Sequence, residues 1–342
     1  MAAPPLSSVP PPLGASHHRA DACYTERRDR LAILPGRWHP RPERHHSYAG
    51  NLSCPFEFRQ YSCRASGFGH AERAALVDFL PHACHLSRVS AVRLAAWLNG
   101  GRLLLLGDSL MRQVFIALAC ALAAEGAIES SHVPWRACVP APSGGRACGE
   151  HSFATYLTIG LGGGGSVLHR DVAWFHERYE PSPGDCLVVQ AGVHNETRAH
   201  PTRAAERLLE EMLALVQRER ASSAPDGKNP MLIWAETPAQ HFVSEDGAGV
   251  YDPELSARHK GSPCVDAVPD TRSRAEWSLL RQHPALLDRL HGVLALSGTN
   301  ELGAAKFGVG DCTHYCLPGP PDVIARALYT MLLSADRLPR TG

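Results

Sequence analysis

Arg102–Ala124, RLLLLGDSLMRQVFIALACALAA, is the stretch whose reading decides the fold. Arg102–Leu106 is a short, continuously apolar run that closes on Gly107-Asp108. A strand covered on both faces loses the usual apolar–polar alternation, so this run predicts a buried parallel strand. Leu110–Ala124 is almost wholly apolar and rich in good helix formers, which predicts a buried helix. The pattern recurs downstream. Ser166–Trp174 and Asp185–Gln190 (DCLVVQ) predict strands, the second ending in Ala191-Gly192. Pro201–Arg220 predicts an amphipathic helix with Ala205, Leu208, Leu209, Met212, Leu213 and Val216 on one stripe. Met231–Trp234 predicts a third buried strand; Pro284–Leu296 and Pro320–Ala335 predict helices. Alternating strands and helices imply an α/β fold, a mostly parallel sheet with helices on both faces. Gly162–Gly165 reads as a loop, since no Lys-Ser/Thr follows it and it precedes a strand.

The 342 residues suffice for a large core. Lys plus Arg and Asp plus Glu each number 34, so the formal net charge is zero. That argues against a nucleic-acid partner, which leaves a basic excess, and leaves a neutral partner such as a sugar polymer open. Among the 19 histidines, His17-His18 and His45-His46 lie in polar stretches and read as solvated. The eleven cysteines include no C-x-x-C pair and no zinc-finger spacing, so no metal site is expected. A disulfide framework in an oxidising compartment accounts for them better. Asn51-Leu52-Ser53 and Asn195-Glu196-Thr197 read as glycosylation sequons. Residues 1–22 are Pro-, Ser- and Ala-rich and read as a disordered tail or stem, with no secretory apolar region. Residues 23–95 read as a loop-rich, Cys-rich N-terminal lobe, and 96–338 as the catalytic domain.

Gly107-Asp108-Ser109 falls where a buried strand gives way to a helix. Ligands of open α/β sheets bind beyond the carboxyl ends of strands, and helix-terminal N–H groups there can stabilise an oxyanion. Ser109 therefore reads either as a nucleophile or as a simple helix cap. Near the end of the chain, Asp311-Cys312-Thr313-His314 places an acid three residues before an imidazole. Such an acid can hold the tautomer that lets the histidine take a serine proton, though a capping or surface pair has the same spacing. Gly192-Val193-His194-Asn195 follows the DCLVVQ strand. A Gly192 N–H and the Asn195 amide there could complete an oxyanion hole, or the segment could be a polar turn. The combination and order of these elements point to Ser109, His314 and Asp311 as a catalytic triad that handles acyl groups.

The order resembles that of the SGNH (GDSL-type) hydrolases. The longer strings Gly107-Asp108-Ser109-Leu110-Met111-Arg112 and Asp311–Asp322 (DCTHYCLPGPPD) resemble the G-D-S-x-x-R-N and D-C-S-H-W-C-L-P-G-x-P-D patterns of the trichome-birefringence-like / PC-esterase family. Gly36-Arg37-Trp38, Ser53-Cys54-Pro55-Phe56, Cys63 and Cys84-His85-Leu86 are similar to its Cys-rich N-terminal part. Gln113 stands where the family has Asn, Tyr315 where it has Trp, and Ile324 where a Trp is usual. Ala75–Pro81 occupies the place of a tryptophan-rich stretch. Trp234–Phe242 (WAETPAQHF) resembles an internal family segment, with Ala235 in place of Arg, and reads as a strand followed by a loop lining the site or serving structure alone.

The resemblance implies a three-layer SGNH-like domain with a mostly parallel sheet, plus the loop-rich, disulfide-tied N-terminal lobe. It implies an O-acyltransferase, in the first place an O-acetyltransferase, acting on polysaccharide or glycan hydroxyls in the Golgi lumen or secretory pathway. Ser109 would carry the acyl group, His314 would serve as base and then acid, and Asp311 would orient His314. Arg112 would shape the site, or else make a surface salt bridge. No cofactor is implied: the acyl donor, acetyl-CoA or an acetylated intermediate, is a co-substrate. Membrane anchoring would come only through a segment not present in this chain. The same triad serves a carbohydrate esterase or deacetylase, and a non-catalytic glycan-binding protein is the reading from another class. By similarity, the pairs Cys63–Cys316, Cys23–Cys84, Cys54–Cys120 and Cys264–Cys312 are suggested. A local Cys138–Cys148 pair would leave Cys186 free.

Overall fold

A computed structural model describes residues 22–40, 77–98, 102–125, 137–140, 146–149, 155–158, 184–193, 203–221, 230–259, 261–308 and 310–334. The first part of the chain gives helix α1 (Arg27–Arg30), strands β1 (Gly36–Pro40) and β2 (Val77–Pro81), and helix α2 (Ala91–Leu98). Strand β3 (Leu103–Gly107) and helix α3 (Ser109–Ala123) follow, then β4 (Ala137–Pro140), β5 (Arg146–Gly149), β6 (Thr155–Thr158) and β7 (Cys186–Gln190). Helix α4 (Arg203–Ala221), β8 (Met231–Ala235), α5 (Pro253–Arg258), α6 (Thr271–Gln282), α7 (Pro284–Arg289) and β9 (Gly292–Leu294) come next. Strands β10 (Lys306–Gly308) and β11 (Asp311–Tyr315) and helix α8 (Pro320–Ser334) close the described chain.

The central sheet has five strands in the order β6-β3-β7-β8-β9, and every pairing in it is parallel. Side chains alternate between faces along each strand, and here both faces are covered. Leu103, Leu105, Cys186, Val188, Ile233 and Leu294 turn to one face, where they join buried residues of α2, α3 and α8. Leu104, Leu106, Leu187, Val189, Leu232 and Val293 turn to the other, against α4, α6 and α7. This double burial is why β3, β7 and β8 are buried at every position. In chain order the strands run second, first, third, fourth, fifth across the sheet, a doubly wound arrangement that reverses direction between β3 and β7. Ligand crevices open at such a reversal, beyond the strand carboxyl ends.

Two sequence expectations need correction. Pro284–Leu296 is not one helix: α7 ends at Arg289, Leu290 is extended (φ −67°, ψ 137°), and Gly292–Leu294 becomes the fifth sheet strand. Gly292 meets α8 so closely that a Cβ there would lie 2.4 Å from the Met331 sulfur. A short apolar run buried on both sides looks alike as strand or helix, and this one is too short to be told apart by period. The sequence reading also assigns no helix to α6, whose buried residues are only Glu276, Trp277 and Leu280. The expected strand Ser166–Trp174, the Gly162–Gly165 loop, both sequons and the residue 1–21 part of the tail lie outside the described residues.

The N-terminal segments share the main core: Tyr24, Leu34, Phe79, Leu86 and Val89 are buried in the same cluster as α3 and α8. Leu34 bridges to Leu296 beyond β9, and Arg30 donates to the His291 and Ser334 carbonyls. Cys23–Cys84 and Cys264–Cys312 are disulfides, and Cys120 and Cys316 are disulfide-bonded as well. Cys54 and Cys63, their expected partners, lie outside the described residues. Cys138 and Cys148 are register partners across β4 and β5, and Cys186 is buried and takes part in no disulfide. No helix among the described residues is long and apolar enough to cross a membrane.

At the amino-terminal edge of the sheet, Asp185 is 1% exposed and its carboxylate holds Arg102. The contacts are 2.7 Å to Nη2, 3.1 Å to Nε and 2.7 Å to the backbone N–H. Removing one partner of a buried pair strands the other charge. Arg102→Met should therefore lower unfolding free energy by about 3 kcal/mol, read as a lower urea midpoint at unchanged m.

Candidate active site

Asp108 ends the first strand's turn and caps α3. Its Oδ1 accepts the Leu110 N–H at 2.9 Å, satisfying one of the orphan donors of the helix start. The cap role that sequence could assign to Ser109 thus falls to its neighbour. Ser109 becomes the first helical residue, half-buried at the carboxyl end of β3. The other Asp108 oxygen accepts the Val193 N–H at 2.7 Å, tying the turn after β3 to the turn after β7. Gly192 permits that approach: its φ is +73°, and a Cβ there would stand 2.4 Å from the Asp108 carboxyl carbon.

The Asp311–His314 element is equally local in origin. Asp311 Oδ1 accepts the backbone N–H groups of Thr313 (3.1 Å) and His314 (3.0 Å), folding the start of β11 back on itself. That turn brings the His314 ring over the same carboxylate, with Nδ1 2.8 Å from Oδ2 and 3.1 Å from Oδ1. Burial pushes the Asp311 carboxyl up, but the His314 ring, its charge and the two backbone N–H groups outweigh it and hold the carboxyl below its ordinary value. With Nδ1–H donating to Asp311, Nε2 is left to accept. Ser109 Oγ lies 2.6 Å from it. The Asp311 side chain is 41% exposed and that of His314 19%.

Two buried residues to which the sequence assigned no role in the site hold this arrangement. Gln113, fully buried one helical turn past Ser109, accepts the Tyr315 N–H at 3.1 Å and donates its amide to the Tyr315 carbonyl. Lys306, 1% exposed, donates to the Thr313 carbonyl at 2.8 Å and lies 3.5 Å from the Tyr315 ring centroid. Burial lowers its amine well below the usual lysine range, against the pull of the Asp311 charge. The disulfide at Cys312 and the disulfide-bonded Cys316 bracket His314 covalently.

The loop after β8 joins both halves of the site. Thr237 Oγ1 accepts the Gly192 N–H at 3.1 Å, so that proposed oxyanion donor is engaged within the protein. The Gln240 amide donates to Thr313 Oγ1 at 2.8 Å, and the His241 N–H donates to the Cys312 carbonyl. His241 is fully buried with Nδ1 on the Val265 carbonyl; burial and the nearby Lys306 push its pKa down to about 4. Behind the Gly192 turn, Arg272 donates to the Gly192 carbonyl and pairs at 3.5 Å with buried Glu276. Glu276 in turn accepts Trp234 Nε1–H at 3.3 Å and the Thr237 N–H at 3.4 Å. Glu236 is pushed up to about 8 by burial and by the charge of Glu276. Arg112 lies one turn along α3 from Ser109 and is half-buried. Asn195 lies outside the described residues. Among the described residues, no group of three or more His, Cys, Asp and Glu could hold a metal ion.

Set against known proteins, the chain matches no family model, and no curated protein matches it.

Gly192→Ala should cost about 1–3 kcal/mol of stability, because it strains a positive φ and pushes on Asp108; thermal unfolding measures it. Glu236 holds its proton in the folded state up to about pH 8, whereas the unfolded chain releases it in the ordinary carboxylate range. The folded state thus binds more protons between these values, and stability falls as pH rises from about 5 to 8. Glu236→Gln removes that linkage. Its gain in Tm over the wild type should be small at about pH 5 and grow toward about pH 8.

Proposed function

We propose that this protein is a serine-dependent O-acyltransferase that moves an acetyl group to a hydroxyl of a polysaccharide or glycan. The observation that carries the reading is the continuous relay Ser109 Oγ–His314 Nε2–Asp311, at 2.6 Å and 2.8 Å. Only the motif strings carry the likeness to trichome-birefringence-like proteins. The parallel sheet with helices on both faces is compatible with the three-layer SGNH-like architecture they imply.

In the first half-reaction, Ser109 Oγ attacks the carbonyl carbon of the acetyl donor while its proton passes to His314 Nε2. The new Oγ–C bond displaces the donor's leaving group, which takes the proton from His314. Acetyl-CoA or an acetylated intermediate would serve as donor. In the second half, a sugar hydroxyl gives its proton to His314 and attacks the acetyl-serine. The ester passes to the sugar, and Ser109 recovers its proton. Asp311 keeps Nδ1 protonated throughout and balances the imidazolium. The first N–H groups of α3 carry the positive end of the helix dipole toward the developing oxyanion. Asn195 and Arg112 stand as the remaining candidates around it, since Thr237 holds the Gly192 N–H. The disulfides support residence in an oxidising compartment, the Golgi lumen or secretory pathway.

One observation favours hydrolysis as a second reading. Transfer needs water kept from the acyl-enzyme, and the Asp311 end of the relay has its side chain 41% exposed to solvent. A deacetylase would use the same relay with water as acceptor.

Intact mass spectrometry after incubation with an activated acetyl ester, with and without a soluble xylan-type oligosaccharide, separates these readings. The wild type should gain one acetyl-sized increment that chases into the sugar, and Ser109→Ala should gain none. Donor turnover should fall in that variant by about 1,000-fold or more. An adduct lost only to water would favour the esterase. A Ser109→Ala variant that still turns over the donor would overturn the triad.

A further inference from the structure

Ser109 and His314 belong to segments 205 residues apart, so something must set the distance between their elements. Gln113 lies four residues after Ser109, on the same face of α3. Its side-chain amide pairs with both polar groups of one peptide residue, accepting the Tyr315 N–H at 3.1 Å and donating to the Tyr315 carbonyl. Tyr315 immediately follows His314, and the amide is wholly buried. On the other side of His314, the Thr313 carbonyl accepts from Lys306 at 2.8 Å. The peptide units flanking the imidazole are thus held by buried side chains from two different elements. Of these, Gln113 alone shares a helix with the serine.

We infer that Gln113 is a positioning residue of the acyl-transfer site, a buried amide clasp that sets the His314 strand at proton-transfer distance from Ser109. The inference rests on the triad reading above. Gln113 touches neither substrate nor the reacting atoms, so its loss should act on the chemical step and leave substrate affinity alone. An apolar replacement leaves both Tyr315 groups without these partners. A glutamate of the same length can reproduce the clasp only while its carboxyl is protonated, donating to the carbonyl and accepting from the N–H. Once ionised, it faces the Tyr315 carbonyl oxygen with a like charge.

The test follows acetyl-ester cleavage with p-nitrophenyl acetate by the wild type, Ser109→Ala, Gln113→Leu and Gln113→Glu of the full chain, each checked for folding by thermal unfolding. Gln113→Leu should lose about 100-fold in kcat with KM unchanged, the scale of a misplacement of about 1 Å. Gln113→Glu should approach wild-type kcat near about pH 6, where a buried carboxyl stays protonated, and fall about tenfold or more behind it by about pH 8.5. Since Gln113→Glu retains the shape of the native side chain, it serves as the test even if Gln113→Leu fails to fold. Folded Gln113→Leu with wild-type kcat would overturn the inference. So would Gln113→Glu whose ratio to wild type is constant across pH, the pattern of a merely structural role. A wild type no faster than Ser109→Ala would instead remove the triad reading, and this inference with it.

Discussion

The hydrogen bond between Ser109 and His314 spans 2.6 Å in space and 205 residues in sequence. No local propensity reaches that far, so each end must be fixed independently and the two ends then fixed to each other. The serine end is set by β3, buried at every position, and by the Asp108 cap that starts α3. The histidine end is set by the turn that Asp311 imposes on its own backbone and by the Cys264–Cys312 disulfide. Gln113 and Lys306 then tie that strand to the rest of the core. On the proposed acyl-transfer reading, a positional error of about 1 Å would cost about 100-fold in rate, a demand on geometry that stability alone does not make.

The topology explains why this assembly sits where it does. The sheet order reverses between β3 and β7, and the turns leaving these neighbouring strands diverge to opposite faces. A crevice between them follows from the winding. Asp108 joins the two turns there, with one oxygen on the α3 start and the other on the Val193 N–H. Its reach requires that Gly192 lack a side chain. The Gly-Asp before Ser109 and the Ala-Gly after the next strand are therefore one structural unit, although 85 residues separate Asp108 from Val193.

What was legible in the sequence follows the same division. The strands at 103–107, 186–190 and 231–235 were readable because double burial makes them continuously apolar. The stripe of α4 was readable because one face stays wet. The fifth strand was not, since Val293, Leu294 and their neighbours form a run shorter than one helical stripe. Helix α6 was missed because part of what it buries is Glu276, paired with a half-buried Arg272, residues that any hydropathy reading assigns to solvent. Ser109, Asp311 and His314 stood out by chemical type and order. Gln113 registered only as a departure from a motif, Glu236 only as part of the Trp234–Phe242 segment, and Lys306 not at all. Their roles depend on what faces them across the fold, which spacing along one chain does not carry.

Those hidden residues share a physical feature. Two apolar layers flank the sheet, yet its carboxyl-terminal end buries Gln113, Glu236, His241, Glu276 and Lys306. Each costs desolvation that an apolar side chain of similar volume would avoid, and Glu236 retains a buried carboxyl oxygen without a hydrogen-bond partner. Apolar packing is non-directional: it keeps elements together but tolerates sliding by fractions of an ångström. Hydrogen bonds to named backbone groups do not tolerate that, because a displaced partner leaves a buried polar atom unsatisfied. Placing the directional contacts at one end of an otherwise apolar body therefore makes that end stiff in register while the layers supply the stability. The expected consequence is a conflict between the two: apolar substitutions at these positions would relieve desolvation while loosening the geometry around His314.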